Sequence, residues 1–113
     1  MTDGSKPKEH IIRFSVNNGD FIYDEKEDVS SYIKTKHKDI IKWINDEQCA
    51  FSISFGWDSP FGECYLQARE GETIKTEVPA EAQNGDFKYT IAVYDDGKVW
   101  IDDPRIIIKP PTG

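Results

Sequence analysis

Short runs in which apolar and polar residues alternate recur along most of this chain, and they restrict its fold more than any other feature. Ile12, Phe14 and Val16, for example, are separated by Arg13 and Ser15. Similar runs occupy positions 51–55, 74–78 and 87–93, and a last short strand is predicted at 105–109. A period of two gives a β-strand one apolar face. Many short strands with turn signals between them predict an all-β sandwich or barrel.

Turn-forming sequences separate several of these runs. Asn17-Asn18-Gly19, Asn84-Gly85 and Asp95-Asp96-Gly97 each place glycine after asparagine or aspartate. Such pairs favour tight hairpin turns, because their backbones tolerate positive φ. We therefore predict a hairpin turn at 17–19 and another turn at 95–97, with Asn84-Gly85 as a turn signal before the run at 87–93. Trp43, within an apolar stretch, is expected in the core.

The length of the chain indicates one domain. At 113 residues, with 37% hydrophobic and 12% aromatic residues, the chain can build a core of its own. We predict a disordered leader over 1–8, a single domain over 9–109 and a tail over 110–113. No apolar run approaches the roughly 20 residues of a membrane-spanning helix.

The charge is strongly acidic, which argues against several classes of partner. Fourteen basic and 21 acidic side chains give a net charge of −7. Such a chain is repelled by nucleic acid and by anionic lipid, so we expect it to bind neither. The first ten residues contain no apolar segment typical of a secretion signal. The expected location is therefore cytoplasmic.

Residues 29–44 permit two interpretations. Val29, Ile33, Ile40 and other apolar residues lie near helical spacing, with Asp28 as a possible N-cap. The stretch from 39 to 45 also reads as a strand. We predict a short helix near 29–34, followed by a strand near 39–45.

The order of motifs resembles the cupredoxins, the family of plastocyanin and azurin. The motifs are Ile40-Ile41-Lys42-Trp43-Ile44-Asn45, then Phe51-Ser52-Ile53-Ser54-Phe55, then Gly85-Asp86-Phe87-Lys88-Tyr89. They cover about residues 9–109. The resemblance implies a single Greek-key β-sandwich of about 7–8 strands.

The resemblance also implies a copper site, which needs two histidines, a cysteine and usually a weak axial methionine. The first histidine would lie at or next to Phe51, the cysteine near Ile91 and the second histidine near Tyr94. The chain has no copper-binding side chain there, and no methionine beyond Met1. We therefore predict a member that lacks the copper ligands and has no cofactor.

The two cysteines leave two possibilities open. Cys49 and Cys64 could form a disulfide, whose closed loop would contribute about 3 kcal/mol. Alternatively, both are unpaired and behave as small hydrophobic residues.

Loop aromatics are the candidate binding residues. Trp57 and Phe61 lie in the segment Gly56-Trp57-Asp58-Ser59-Pro60-Phe61-Gly62, and Tyr94 and Trp100 flank the turn at 95–97. Exposed aromatic side chains anchor protein partners, and we expect all four to lie at one loop end of the sandwich, where the family has its metal. In the alternative interpretation, Trp57 and Phe61 instead close one end of the sandwich.

No catalytic signature is present, so we predict that the chain is not an enzyme. The expected function is a non-catalytic protein-interaction or accessory module, either monomeric or weakly dimeric. The alternative is a domain that binds a small ligand or a carbohydrate. It would stack sugars on Trp57 or Trp100, with Asp95, Asp96 or Asp102 as acceptors. With Asp103, these aspartates could also gather Ca²⁺ or simply be solvated.

Overall fold

The regular structure of this protein is built entirely from β-strands in the computed structural model, which describes residues 7–23, 32–35 and 37–109. Those residues form eleven strands and contain no helix. In chain order they are β1 Glu9–Asn17, β2 Asp20–Tyr23, β3 Tyr32–Thr35, β4 Ile40–Asn45, β5 Ala50–Ser54, β6 Tyr65–Ala68, β7 Ile74–Glu77, β8 Gly85–Lys88, β9 Thr90–Asp95, β10 Lys98–Asp102 and β11 Arg105–Ile108. No helix in these ranges is long and apolar enough to cross a membrane.

One layer is a four-stranded sheet with the order β2-β1-β4-β7. β1 pairs antiparallel with β2 through the turn at Asn18-Gly19, and parallel with β4. The alternation in β1 buries Ile12 and Phe14 on the inner face, and β4 buries Ile41 and Trp43 in the same way.

The other layer is organised around one long hairpin. Its first arm is β8 followed by β9, separated by Tyr89 alone, and its second arm is β10 followed by β11. Asp95 lies opposite Lys98 next to the turn, and Gly85 lies opposite Ile108 at the far end, in the same register. The Tyr89 N–H donates to the Pro104 carbonyl at 3.0 Å, which continues the pairing across the break. β5 and β6 extend this layer beyond β9, and β3 extends it beyond β11.

Aromatic side chains fill much of the space between the layers. Phe14 contacts Phe51 edge-on, with ring centroids 5.2 Å apart. Trp43 contacts Tyr89 in the same way at 5.7 Å, and its Nε1–H donates to the Tyr89 hydroxyl at 3.1 Å. The core thus pairs its largest polar aromatics with each other, so that neither ring buries an unpartnered polar atom.

The structure confirms the predicted all-β sandwich, with eleven strands among the described residues in place of the expected 7–8, and β4 confirms the strand expected near 39–45. The helix expected near 29–34 is wrong for residues 32–34, which belong to β3. β3 pairs in parallel with β11, with Tyr32 opposite Arg105, and this long-range pairing overrides the helical spacing of the local sequence. Positions 29–31 lie outside the described residues, as do most of the predicted leader and tail.

Candidate functional site

The four candidate aromatics are distributed over two ends of β5 rather than gathered on one surface. Tyr94 lies opposite Ala50, the first residue of β5, whereas Trp57 follows Ser54, the last residue of β5. Trp100 lies opposite Val93, close to Tyr94. Because β5 and β9 are antiparallel, Trp57 and Tyr94 are carried to opposite ends of the strand pair.

Trp57 is fully exposed, with 101% of its reference surface open to solvent. It follows Gly56, whose φ of +68° gives the chain a sharp turn directly after the strand. Nothing within 4 Å surrounds the position of a Cβ on Gly56. The Trp57 indole in this loop is therefore surrounded by solvent.

The rest of the Trp57 loop is attached to the core. Phe61 is 9% exposed and contacts Phe55 at 5.3 Å and Trp43 at 6.3 Å, both nearly edge-on. Its N–H donates to the Ser59 hydroxyl at 3.1 Å. The Phe55 N–H donates to the Cys64 carbonyl at 2.8 Å, which closes the base of the loop. Phe61 thus plugs one end of the sandwich, as the alternative interpretation expected, and it is not available to a partner.

Tyr94 and Trp100 have different environments although they lie close together. Tyr94 is exposed on the outer face of its sheet, and its hydroxyl shares a hydrogen bond of 3.1 Å with the Ser52 hydroxyl. Trp100 is half-buried and packs against the core. A Cβ added to Gly19 would lie 3.5 Å from the Trp100 ring, so the indole also lies against the turn between β1 and β2. Trp100 therefore has mainly a structural role within the chain.

Sequence reasoning missed two apolar side chains next to Tyr94. Val99 and Ile101 of β10 are 50% and 62% exposed, on the same outer face. The signal was present, since the three consecutive apolar residues of Lys98-Val99-Trp100-Ile101-Asp102 follow a hairpin turn directly and would make both faces of a strand apolar. The sequence pattern does not indicate which face of the strand is covered. In the structure, the face with Trp100 packs against the core.

The positions where the resemblance places copper ligands have no ligand chemistry. Phe51 is 1% exposed and its ring fills the core against Phe14, and Ile91 is fully buried. Neither side chain has a lone pair to offer, while Tyr94 directs its hydroxyl to Ser52. Across residues 7–23, 32–35 and 37–109, no group of three or more His, Cys, Asp or Glu could hold a metal ion. These residues do not fit a type 1 copper site.

The cysteines are both free. Cys49 precedes β5, whereas Cys64 directly precedes Tyr65, which pairs with the last residue of β5. The strand therefore separates the two thiols. Burial, followed by the nearby carboxylate of Asp95, raises the pKa of the Cys49 thiol. A raised pKa keeps the sulfur protonated, which makes it a weak nucleophile and a weak metal ligand.

The aspartates proposed as calcium ligands or sugar acceptors have separate partners. Asp102 accepts a hydrogen bond of 2.5 Å from the Tyr23 hydroxyl, and Asp103 accepts one of 2.8 Å from the Thr90 hydroxyl. Asp95 and Asp96 are exposed at the hairpin turn. Asp95 and Asp96 lie at the other end of β5 from Trp57, whereas Asp102 and Asp103 lie beside Ile91 and Thr90, at the end of β5 that leads into the Trp57 loop.

No protein-family model matches the sequence, and no curated protein matches it. Among solved structures, a variant of amicyanin in its reduced Cu(I) form at pH 4 has a TM-score of 0.51 and 14% sequence identity. An oxidised variant of amicyanin has a TM-score of 0.52 and the same identity. Both matches cover 96% of this chain and 86% of the amicyanin chain. The chain therefore has a cupredoxin-like fold, while the positions described above lack the copper ligands.

Proposed function

We propose that this cupredoxin-like β-sandwich is a non-catalytic protein-interaction module, and that Trp57 is its principal contact. One observation carries the proposal: an indole that is fully exposed, on a loop whose other aromatic is locked in the core. The proposal rests on that contrast. A flexible loop could expose a tryptophan without consequence, but this loop has a fixed base.

Exposing an indole is unfavourable in isolation. Tryptophan buries roughly 150–250 Å² when it is covered. At about 25 cal/mol per Å², a partner that covered it would gain several kcal/mol. Tryptophan is also among the residues most enriched at the energetic centres of interfaces. Because Phe61 and the backbone bond from Phe55 to Cys64 already hold the loop, little ordering would oppose binding.

The surroundings of Trp57 indicate what such a partner would look like. Asp58 and Glu63 are exposed in the same loop, and Tyr65, at 51% exposure, follows it. Apolar rings flanked by carboxylates are complementary to an apolar pocket with a basic rim. The same charges, in a chain of net charge −7, disfavour nucleic acid and anionic membranes.

The carbohydrate alternative has less support. It requires a stacking ring beside hydrogen-bond acceptors, but Asp95 and Asp96 lie at the other end of β5 from Trp57. Trp100, which is closer to them, is half-buried and has Gly19 against its ring. We therefore favour a protein partner.

A matched pair of variants tests the role of Trp57. The wild type and the variants Trp57→Ala and Ile22→Ala serve as baits in quantitative affinity capture. Ile22 is also an exposed apolar residue, but it lies in β2 of the other sheet. The captured protein is then purified and titrated against each bait. We expect Trp57→Ala to weaken binding by about 2 kcal/mol or more, and Ile22→Ala to bind like the wild type.

Folding of the variants is the control. Because Trp57 contacts nothing that stabilises the sandwich, Trp57→Ala should unfold within about 0.5 kcal/mol of the wild type. Equal affinity of Trp57→Ala and wild type for the captured protein would disprove the role of Trp57. A large loss of stability would show instead that the ring supports the fold.

A further inference from the structure

Within residues 7–23, 32–35 and 37–109, β10 has an open outer edge with a defined set of backbone groups. Among the described residues, β10 pairs with β9 alone. The two-residue turn Asp96-Gly97, with φ of +51° and +77°, makes Asp95 and Lys98 a hydrogen-bonded pair. Hydrogen-bonded pairs alternate along an antiparallel ladder, so Trp100 also bonds toward β9. The N–H and C=O groups of Val99 and Ile101 therefore face the open edge.

The side chains of β10 give this edge exposed apolar surface and do not shield it from pairing with another strand. Val99 and Ile101 lie on the outer face, half or more exposed, and Tyr94 lies beside Val99. Sheet edges are commonly blunted by bulges, by proline or by charged side chains, lysine above all. On β10 the charged residues stand only at the two ends of the strand, Lys98 and Asp102, and they have opposite signs.

We propose that β10 pairs antiparallel with β10 of a second copy of this chain. The twofold axis passes midway between Trp100 and Trp100 of the second copy, which lie opposite each other. In this register, Lys98 lies opposite Asp102 of the second copy, and the same pair recurs on the other side of the axis. Val99 lies opposite Ile101 of the second copy. A twofold interface requires such self-complementary contacts, and the sequence Lys-Val-Trp-Ile-Asp provides them in one register.

The backbone groups agree with this register. Pairing about Trp100 makes Val99 and Ile101 of the second copy a hydrogen-bonded pair, and these are the residues whose backbone groups are directed outward. Two such pairs give four inter-chain hydrogen bonds. On the outer face, the apolar strip from Tyr94 through Val99 continues onto Ile101 of the second copy. Asp102 already accepts a bond from Tyr23, but a carboxylate can accept a further one from lysine.

Three of the other edge strands, β2, β6 and β7, are less suited to self-pairing. β6 has the sequence Tyr-Leu-Gln-Ala and contains no charge, and β2 contains aspartate as its only charge. β7 contains Lys75 and Glu77, but Lys75 already lies 3.6 Å from Glu9 of its own chain. β7 also has no large exposed apolar side chain. Charge complementarity and exposed apolar surface therefore coincide only at β10 among these edges.

This inference goes beyond the proposed function, because the edge of β10 and the Trp57 loop lie in different parts of the fold. A dimer of this kind would leave Trp57 exposed in both copies. The module would then present two identical contacts.

The first experiment measures mass and amide exchange on the full chain. Sedimentation velocity from micromolar to millimolar concentration should show a monomer–dimer equilibrium. In hydrogen exchange by NMR, the amides of Val99 and Ile101 should become protected as concentration rises. The Trp100 amide, which bonds to β9 in both states, should change little. A chain that is monomeric throughout the range would overturn the proposal.

Charge variants test the register. Lys98→Asp places like charges opposite each other twice, so dimerisation should weaken about tenfold. Asp102→Lys places two lysines opposite each other on both sides of the axis, so it should weaken dimerisation by a similar factor. An equimolar mixture of the two variants restores both opposite-charge pairs, so it should form heterodimers with near wild-type affinity. Failure of the mixture to associate, with both variants folded, would exclude this register.

A backbone variant guards against the case that Asp102→Lys fails to fold without its bond to Tyr23. Val99→Pro removes an N–H that faces solvent, a position where an edge strand tolerates proline. It should abolish dimerisation, while Val99→Ala, which keeps the N–H, should retain it. Dimerisation by Val99→Pro at wild-type affinity would contradict the pairing.

Discussion

At the scale of single residues, the buried Tyr89 and the half-buried Tyr23 determine how this fold should respond to alkali. Burial raises the pKa of Tyr89, whose hydroxyl accepts from Trp43. Burial, followed by the hydrogen bond to the Asp102 carboxylate, raises the pKa of Tyr23. In the unfolded chain both phenols lose their protons near pH 10. The folded state keeps them protonated to higher pH.

The consequence is a loss of stability above about pH 10. There the unfolded state releases protons that the native state retains, so each pH unit favours unfolding by about 1.4 kcal/mol per tyrosine. Below that range neither group contributes a pH dependence. Above pH 10, the free energy of unfolding of Tyr23→Phe should fall with pH less steeply than that of the wild type. The difference should be about 1.4 kcal/mol per pH unit, because the variant has one phenol fewer to lose its proton on unfolding.

Urea unfolding at a series of pH values checks this prediction. Between about pH 7 and 9, the curves of the wild type and Tyr23→Phe should run parallel, offset by the lost hydrogen bond, which is worth about 1–2 kcal/mol. Identical slopes for the two proteins above pH 10 would show that Tyr23 does not titrate differently in the two states.

At the scale of elements, the tight turns were predictable from sequence and the edge pairings were not. Asn18-Gly19 and Asp96-Gly97 have positive φ at both residues, as their dipeptides suggest. β3, by contrast, is a strand because β11 pairs with it, and the two are more than seventy positions apart in sequence. Local spacing contains no information about such a partner, so the helix expected there was a reasonable but wrong result of local rules.

The turn at Asp96-Gly97 can be tested directly. Gly97 has φ of +77°, and no atom lies within 4 Å of the position of an added Cβ. Gly97→Ala should therefore cost backbone strain alone, about 1 kcal/mol of unfolding free energy. The matched variant Asp96→Gly relieves a positive φ of 51° and should be neutral or slightly stabilising. Chemical denaturation of both variants separates strain from any loss of contacts, and equal stability of Gly97→Ala and wild type would contradict the argument.

At the scale of the whole molecule, the motif order was sufficient to identify the fold but not to assemble a site. The resemblance correctly placed the central strands, and Trp43 lies in the core as expected. The expected aromatic surface required Trp57 and Tyr94 to share one end, which depends on the register of β5 and β9. Register arises from tertiary packing, and alternation alone does not reveal which residues meet across a sheet.

The side chains at the expected copper-ligand positions lead to a prediction about metal binding by this chain. Titration with Cu²⁺ under anaerobic conditions should produce no intense visible band of the kind that a copper–thiolate bond gives. Phe51 and Ile91 offer no ligand, and burial raises the pKa of the Cys49 thiol, which disfavours the thiolate that would bind copper. Cys49→Ser and Cys64→Ser are the controls. A band that disappears in one of them would identify that cysteine as a copper ligand and would contradict the prediction.

The three tryptophans occupy three different environments, so their fluorescence can report on different parts of the protein. Trp43 is fully enclosed, Trp100 is half-covered beside β10, and Trp57 is in water. Indole emission shifts to the blue as its surroundings become less polar, and only an accessible ring is quenched by a solute. The blue component should therefore report unfolding, while the quenchable red component reports occupancy of the loop. Replacing two of the three rings by phenylalanine would leave a single fluorophore for each event, with no added label.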